Sequence, residues 1–223
     1  MRNLEVFAAA LLTASAAAAA EPAPLVSLTP PPGAPGHWSI VTGETVSPNR
    51  DAVSFELGWP GATFGYLHGL SESSDVGVKF DLLYSWENTT YSKFGAGLDV
   101  PFRLVVNRHD RLVIALHIDP GARVYTNSSS TDFFIRFPVG GTVGVQITPE
   151  VRIAAGADFT MAMQLTNTAF LEVGPQFGFG VEYAIDKGLL MGLNTRFGPQ
   201  FYTYSNASTS FAFTTQLVLG YRL

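Results

Sequence analysis

Residues 211–223 read FAFTTQLVLGYRL, and their alternation runs without interruption. One set is Phe211, Phe213, Thr215, Leu217, Leu219, Tyr221 and Leu223; the other is Ala212, Thr214, Gln216, Val218, Gly220 and Arg222. A period of two places successive side chains on opposite faces of an extended strand. A helix would instead gather its apolar residues at a period near 3.6. One face of this strand is bulky and apolar; the other is small or polar.

Working upstream, the same alternation recurs between turn-forming stretches. Strands are expected over 76–86, 94–106, 112–124, 133–147, 151–163, 170–185, 189–201 and 211–223. The breaks alternate in character. SESSD (71–75), NRHDR (107–111), TPE (148–150) and DKG (186–188) are tight, whereas 87–93, 125–132, 164–168 and 202–210 are mostly longer and rich in Ser, Thr and Asn. Further upstream, 52–59 and 62–70 flank Pro60-Gly61 and read as a hairpin or as one kinked strand. The hairpin gives ten strands; eight with a separate N-terminal element is the alternative. Short turns at one end and longer loops at the other are the habit of up-and-down barrels.

The charges decide what each face meets. Lys79, Asp81, Asp99, Arg103, Asp119, Arg123, Arg136, Arg152, Asp158, Glu172, Glu182, Arg196 and Arg222 all fall on the small-residue face of the eight strands, with His117 beside them. That face also holds thirteen glycines, from Gly77 to Gly220, while the apolar face holds one, Gly141. A charge facing lipid near the bilayer midplane costs ~2–4 kcal/mol, so a lipid contact would exclude it. A water-soluble barrel or sandwich also segregates its faces. Its wet face, however, would favour Lys, Glu and Thr over glycine, which suits a crowded, curved interior. Strands of this length with Phe, Leu, Val and Met on one side also carry more bulk than a narrow lumen holds. The expectation is an all-β, antiparallel up-and-down transmembrane barrel. Aromatics near the strand ends fit interfacial girdles: Tyr84, Trp86, Phe94, Phe133, Phe201, Phe211 and Phe213 toward the loops, and Phe102, Tyr183 and Tyr221 toward the turns.

Composition agrees. The 223 residues allow one domain, 14% of them charged and 47% hydrophobic. No apolar run of about 18 residues lies beyond the N-terminus, so no spanning helix is expected. Arg2, the apolar core Val6–Ala14 and Ala18-Ala19-Ala20 before Glu21 read as a cleaved signal peptide over 1–20. Residues 21–50 read as a Pro-rich periplasmic linker or short N-terminal segment, within which 37–50 could be a strand, a plug or more linker. The barrel is expected over 51–223. A net charge of −5 gives no footing for nucleic acid, and the absence of Cys removes disulfides and thiolate metal sites.

Chemistry-bearing patterns are sparse. His117 and Asp119 lie two residues apart on the charged face, the arrangement an acid–base site would need. No Ser nucleophile motif accompanies them, and membership of a lumen hydrogen-bond network is the expected role. Glu56, Glu172 and Glu182 share no ligand spacing with His37, His68 or His109, so no metal and no cofactor is expected. The six acidic and seven basic lumen residues are balanced enough to pair across a narrow interior.

The leader, the alternating strands and the terminal strand Phe211–Leu223 together resemble the small outer-membrane barrels of Gram-negative bacteria, broadly the OmpA/OmpX/OmpW type. The resemblance covers roughly 50–223. Members often close on a terminal aromatic read by the barrel-assembly machinery; here Gly220-Tyr221-Arg222-Leu223 keeps the alternation and ends on Leu. The resemblance implies residence in the outer membrane, contact with its lipopolysaccharide leaflet, and insertion by that machinery. It implies a structural or passive-transport role as a narrow channel. Adhesion through the loops and a lipid-modifying activity at His117 and Asp119 are the alternatives. Oligomeric state is left open.

Overall fold

The computed structural model describes residues 38–85, 87, 93–127, 130–166, 169–203 and 208–223. The expected leader, the Pro-rich stretch 21–36, His37, Trp86 and the loop tips 88–92, 128–129, 167–168 and 204–207 lie outside the described residues.

Thirteen strand segments form one sheet: β1 (Asp51–Trp59), β2 (Gly61–Gly69), β3 (Ser74–Leu83), β4 (Phe94–Asp99), β5 (Phe102–His109), β6 (Leu112–Ile118), β7 (Gly121–Thr126), β8 (Thr131–Arg136), β9 (Val139–Gln146), β10 (Val151–Gln164), β11 (Phe170–Ala184), β12 (Leu189–Tyr202) and β13 (Ser208–Arg222). All pairings are antiparallel. β13 lies between β12 and β1, so the sheet closes on itself. Three segment pairs, β4/β5, β6/β7 and β8/β9, are each one long strand interrupted at a proline, which leaves ten strands. The 52–70 region is the hairpin, turning at Pro60.

The interruptions have one cause. Pro101, Pro120 and Pro138 carry no N–H, so each removes a ladder donor. Their carbonyls still accept: Gly77 N donates to Pro101 O at 2.8 Å, Val100 N to Pro120 O at 2.8 Å and Asp119 N to Pro138 O at 3.0 Å. The breaks thus step across neighbouring strands without opening the wall. Pro175 and Pro199 produce a similar gap between β11 and β12, where Val173↔Phe201 and Phe177↔Phe197 keep one register on either side.

A bulge between Val105 and Asn107 shifts the β5–β6 register by one residue. Bulges re-aim side chains. Here Arg108, which alternation from Arg103 would send outward, is partly buried and bonded to Glu44 in the lumen.

The apolar face points out. Among the described residues, forty large hydrophobic side chains are exposed, including Leu217, Phe177 and Phe179. Buried polar or charged residues number twenty-one against fourteen buried hydrophobics. That inverts the arrangement of a water-soluble domain, where the largest apolar patch covers only a few hundred Å². Two outer-face hydroxyls pair with each other, Thr195 Oγ1 lying 3.0 Å from Thr215 Oγ1.

Candidate functional site

The lumen has three layers, and the first is made by the chain's own N-terminal segment. Residues 38–46, which fall within the expected linker or short N-terminal segment, lie inside the barrel at the short-turn end. Trp38 and Val46 pack with Ala52, Leu67 and Leu190. Glu182 holds the segment: Ser39 Oγ donates to its Oε2 at 2.6 Å, and Ile40 N and Val41 N both donate to its Oε1 at 2.8 Å. Thr42 Oγ1 lies 2.7 Å from Ser39 Oγ and 3.2 Å from Glu182 Oε2. Arg152 Nη1 donates to Trp38 O at 2.7 Å, and Arg103 Nη1 donates to Ser39 O at 2.8 Å.

Arg103 also grips Asp75 through two bonds, Nε to Oδ1 at 2.8 Å and Nη2 to Oδ2 at 2.6 Å. Asp75 is fully buried and accepts Val46 N at 2.9 Å. Farther along, Arg108 binds Glu44 and donates to Glu72 O at 2.6 Å. Arg103–Asp75 and Arg108–Glu44 are tolerated because they are paired, and Glu182 because hydroxyl and amide donors satisfy it.

The middle layer is ionic. Lys79 Nζ donates to Glu56 Oε1 at 3.1 Å, and Thr63 Oγ1 to Asp81 Oδ1 at 2.6 Å. Arg123 reaches Asp81 at 3.0 Å, Asp99 at 3.7 Å and Glu87 at 2.5 Å; Arg136 lies 3.5 Å from Asp99 and 3.6 Å from Glu87. Glu87 belongs to the loop after β3. Burial pushes its carboxyl upward, but Arg136 and Arg123 outweigh burial and hold it below the usual range. Its carbonyl accepts Phe213 N at 3.1 Å, tying that loop to β13. Arg196 binds Asp158, whose other oxygen lies 2.7 Å from His117 Nε2. Between these groups sits a cavity of about 120 Å³, lined in part by Asp119, Lys79, Gln176 and Gln216. Gln176 Nε2 is buried there without a protein partner.

The third layer is an aromatic arc at the loop end. Tyr125, Phe134, Phe170 and Tyr202 follow one another with ring centroids 5.8, 6.0 and 5.8 Å apart. Leu83 joins this cluster. Glu172 is buried just beneath it, beside Arg136 and Gln200.

The fourteen residues singled out in the sequence therefore divide by layer. Arg103, Arg152 and Glu182 contact the N-terminal segment. Lys79, Asp81, Asp99, His117, Asp119, Arg123, Arg136, Asp158 and Arg196 occupy the middle, and Glu172 the loop end. Arg222 sits at the turn-end rim, donating to Lys187 O at 2.9 Å, apart from the central network. The residue against the His117 imidazole is Asp158, at 2.7 Å, rather than Asp119.

Sequence reasoning missed Asp75, Glu87, Glu44 and Arg108, all assigned to turns, loops or linker, and gave Glu56 no place in the lumen network. Parity could have found two of them. Asp75 lies in step with Gly77, Lys79 and Asp81; Glu56 lies in step with Ala52 and Ser54. Among the described residues no group of three His, Asp or Glu is placed to hold a metal.

No protein-family model matches this chain and no curated protein matches it, so the functional reading rests on the wall and the lumen it encloses.

Proposed function

We propose that the chain is an integral β-barrel of a bacterial outer membrane, closed at rest, with a structural or passive-transport role. The observation that carries this reading is the inversion of the faces: a continuous apolar belt outside and paired charges inside. In water the forty exposed apolar side chains would drive aggregation; in hydrocarbon they are matched to their surroundings. Closure removes every sheet edge, which a spanning sheet requires. The ten strands put both strand-bearing ends on one side, with Leu223 N donating to Asp51 O at 2.8 Å. The leader and the strand Phe211–Leu223 support passage across an inner membrane and delivery by barrel-assembly machinery.

Cell fractionation with gel mobility before and after boiling tests this. The expected outcome is recovery in the outer-membrane fraction and a boiling-dependent change in mobility. Recovery as a soluble monomer without detergent would overturn it.

A further inference from the structure

We propose that Trp38–Val46 is a displaceable gate, and that the barrel conducts small hydrated ions when this segment leaves the lumen. The inference rests on the membrane-embedded reading above.

Three observations carry it. First, the segment joins no strand ladder of the wall. It is held largely by charged wall groups, Glu182, Arg103, Asp75, Arg152 and Arg108, acting on its amides, carbonyls and hydroxyls and on Glu44. Water can take up each of these bonds once the segment leaves; the packing of Trp38 and Val46 on Ala52, Leu67 and Leu190 also holds the closed state.

Second, the wall is recessed to receive it. A Cβ at Gly144 would lie 2.3 Å from Thr42 O, at Gly180 2.2 Å from Val41 Cγ1, at Gly69 2.6 Å from Val46 O and at Gly220 2.9 Å from Trp38 Cη2. Four strands thus give up side chains where the segment lies. With the segment withdrawn, the same glycines leave that mouth wide.

Third, the lumen's middle layer holds a polar chamber, and Asn194 and Arg196 of its lining also line a smaller pocket that Val41 of the segment borders. The cavity of about 120 Å³ is large enough for several waters, and Gln176 Nε2 has no protein partner in it. A barrel that served only as an anchor would gain stability by filling this space with side chains. Acidic and basic groups both line the chamber, so small hydrated ions are the solutes it would take.

The Glu182→Gln variant keeps the wall's shape but replaces one acceptor oxygen with a donor facing Ser39, Ile40, Val41 and Thr42. A second variant locks the segment. The ideal Cβ at position 180 lies 3.6 Å from Val41 Cβ, inside the range for a disulfide. The described chain has no cysteine to compete. Full-length wild type, E182Q, and E182Q carrying V41C and G180C are refolded and recorded in planar bilayers in potassium chloride.

The expected result is open-state occupancy about tenfold or more higher in E182Q than in wild type, the size expected for loss of a charged hydrogen bond. Oxidation of the cysteine variant should return it to wild-type silence, and reductant should restore the openings. If oxidised and reduced forms conduct alike, or if E182Q stays as silent as wild type, the gate is refuted. Heat-modifiable mobility and vesicle insertion, run on the same preparations, separate the two failures. Inserted barrels with unaltered conductance overturn only the gate, whereas barrels that do not insert overturn the membrane reading.

Discussion

At the scale of single residues, the pairing of buried charges sets the cost of change. Asp75 is fully buried and carries two bonds from Arg103 and one from Val46 N. Asp75→Ala strands the Arg103 guanidinium, an error worth about 3–5 kcal/mol. A double replacement, D75L with R103M, removes both charges and should recover most of that loss. Urea unfolding from lipid vesicles measures both variants. Asp186 behaves differently because it is exposed. Its Oδ1 accepts Gly188 N and Leu189 N, each at 2.7 Å, and these bonds hold its carboxyl below the usual range. A lowered folded value means its contribution to the turn is present above the ordinary carboxylate range and is lost as pH falls through the lowered value. Amide exchange at Gly188 and Leu189, compared at matched intrinsic rates, should therefore be protected near neutrality and lose protection only in acid.

At the scale of elements, bulges, prolines and ring contacts shape a wall that alternation alone describes incompletely. The β5 bulge turns Arg108 inward, and a one-residue irregularity of this kind leaves no mark on the alternating pattern around it. The proline steps at 101, 120 and 138 divide segments without changing which face is which, so the strands were legible through them. The aromatic arc was less legible. Tyr125, Phe134 and Phe170 face inward at the loop end, where the sequence offered Ser- and Thr-rich loops or an undivided apolar strand end. Phe134 is 2% exposed and touches the rings of Tyr125 and Phe170 edge-on. Phe134→Ala should cost about 3–5 kcal/mol, as for other buried aromatics. Removing the outward neighbour Ile135, 46% exposed, should cost far less in the same vesicle assay.

At the scale of the molecule, the barrel was readable because two physical demands act on every strand at once. A bulky apolar set and a small, charged set alternate from Val76 to Leu223, and that pattern fixes strand direction, face and approximate number. The filling of the lumen was not readable in the same way. Trp38–Val46 has no periodicity because it pairs with no strand; its place follows from Glu182 and Arg103, more than sixty residues away in sequence. Glu87 likewise reaches Arg123 and Arg136 only because the loop after β3 turns inward. Contacts of that kind depend on the closed barrel and leave no local trace.

The central claim is that the outer belt lies in hydrocarbon. Its most direct measure is the vesicle stability of Leu217→Arg against Leu223→Arg, two outward residues on one strand that are 63% and 59% exposed. Leu217 lies in the belt's middle, between Leu57 and Leu193, and Leu223 at its rim. The expected result is a loss of about 2–4 kcal/mol for Leu217→Arg and about 0–1 kcal/mol for Leu223→Arg. Equal, small losses at both positions would mean that the belt meets water.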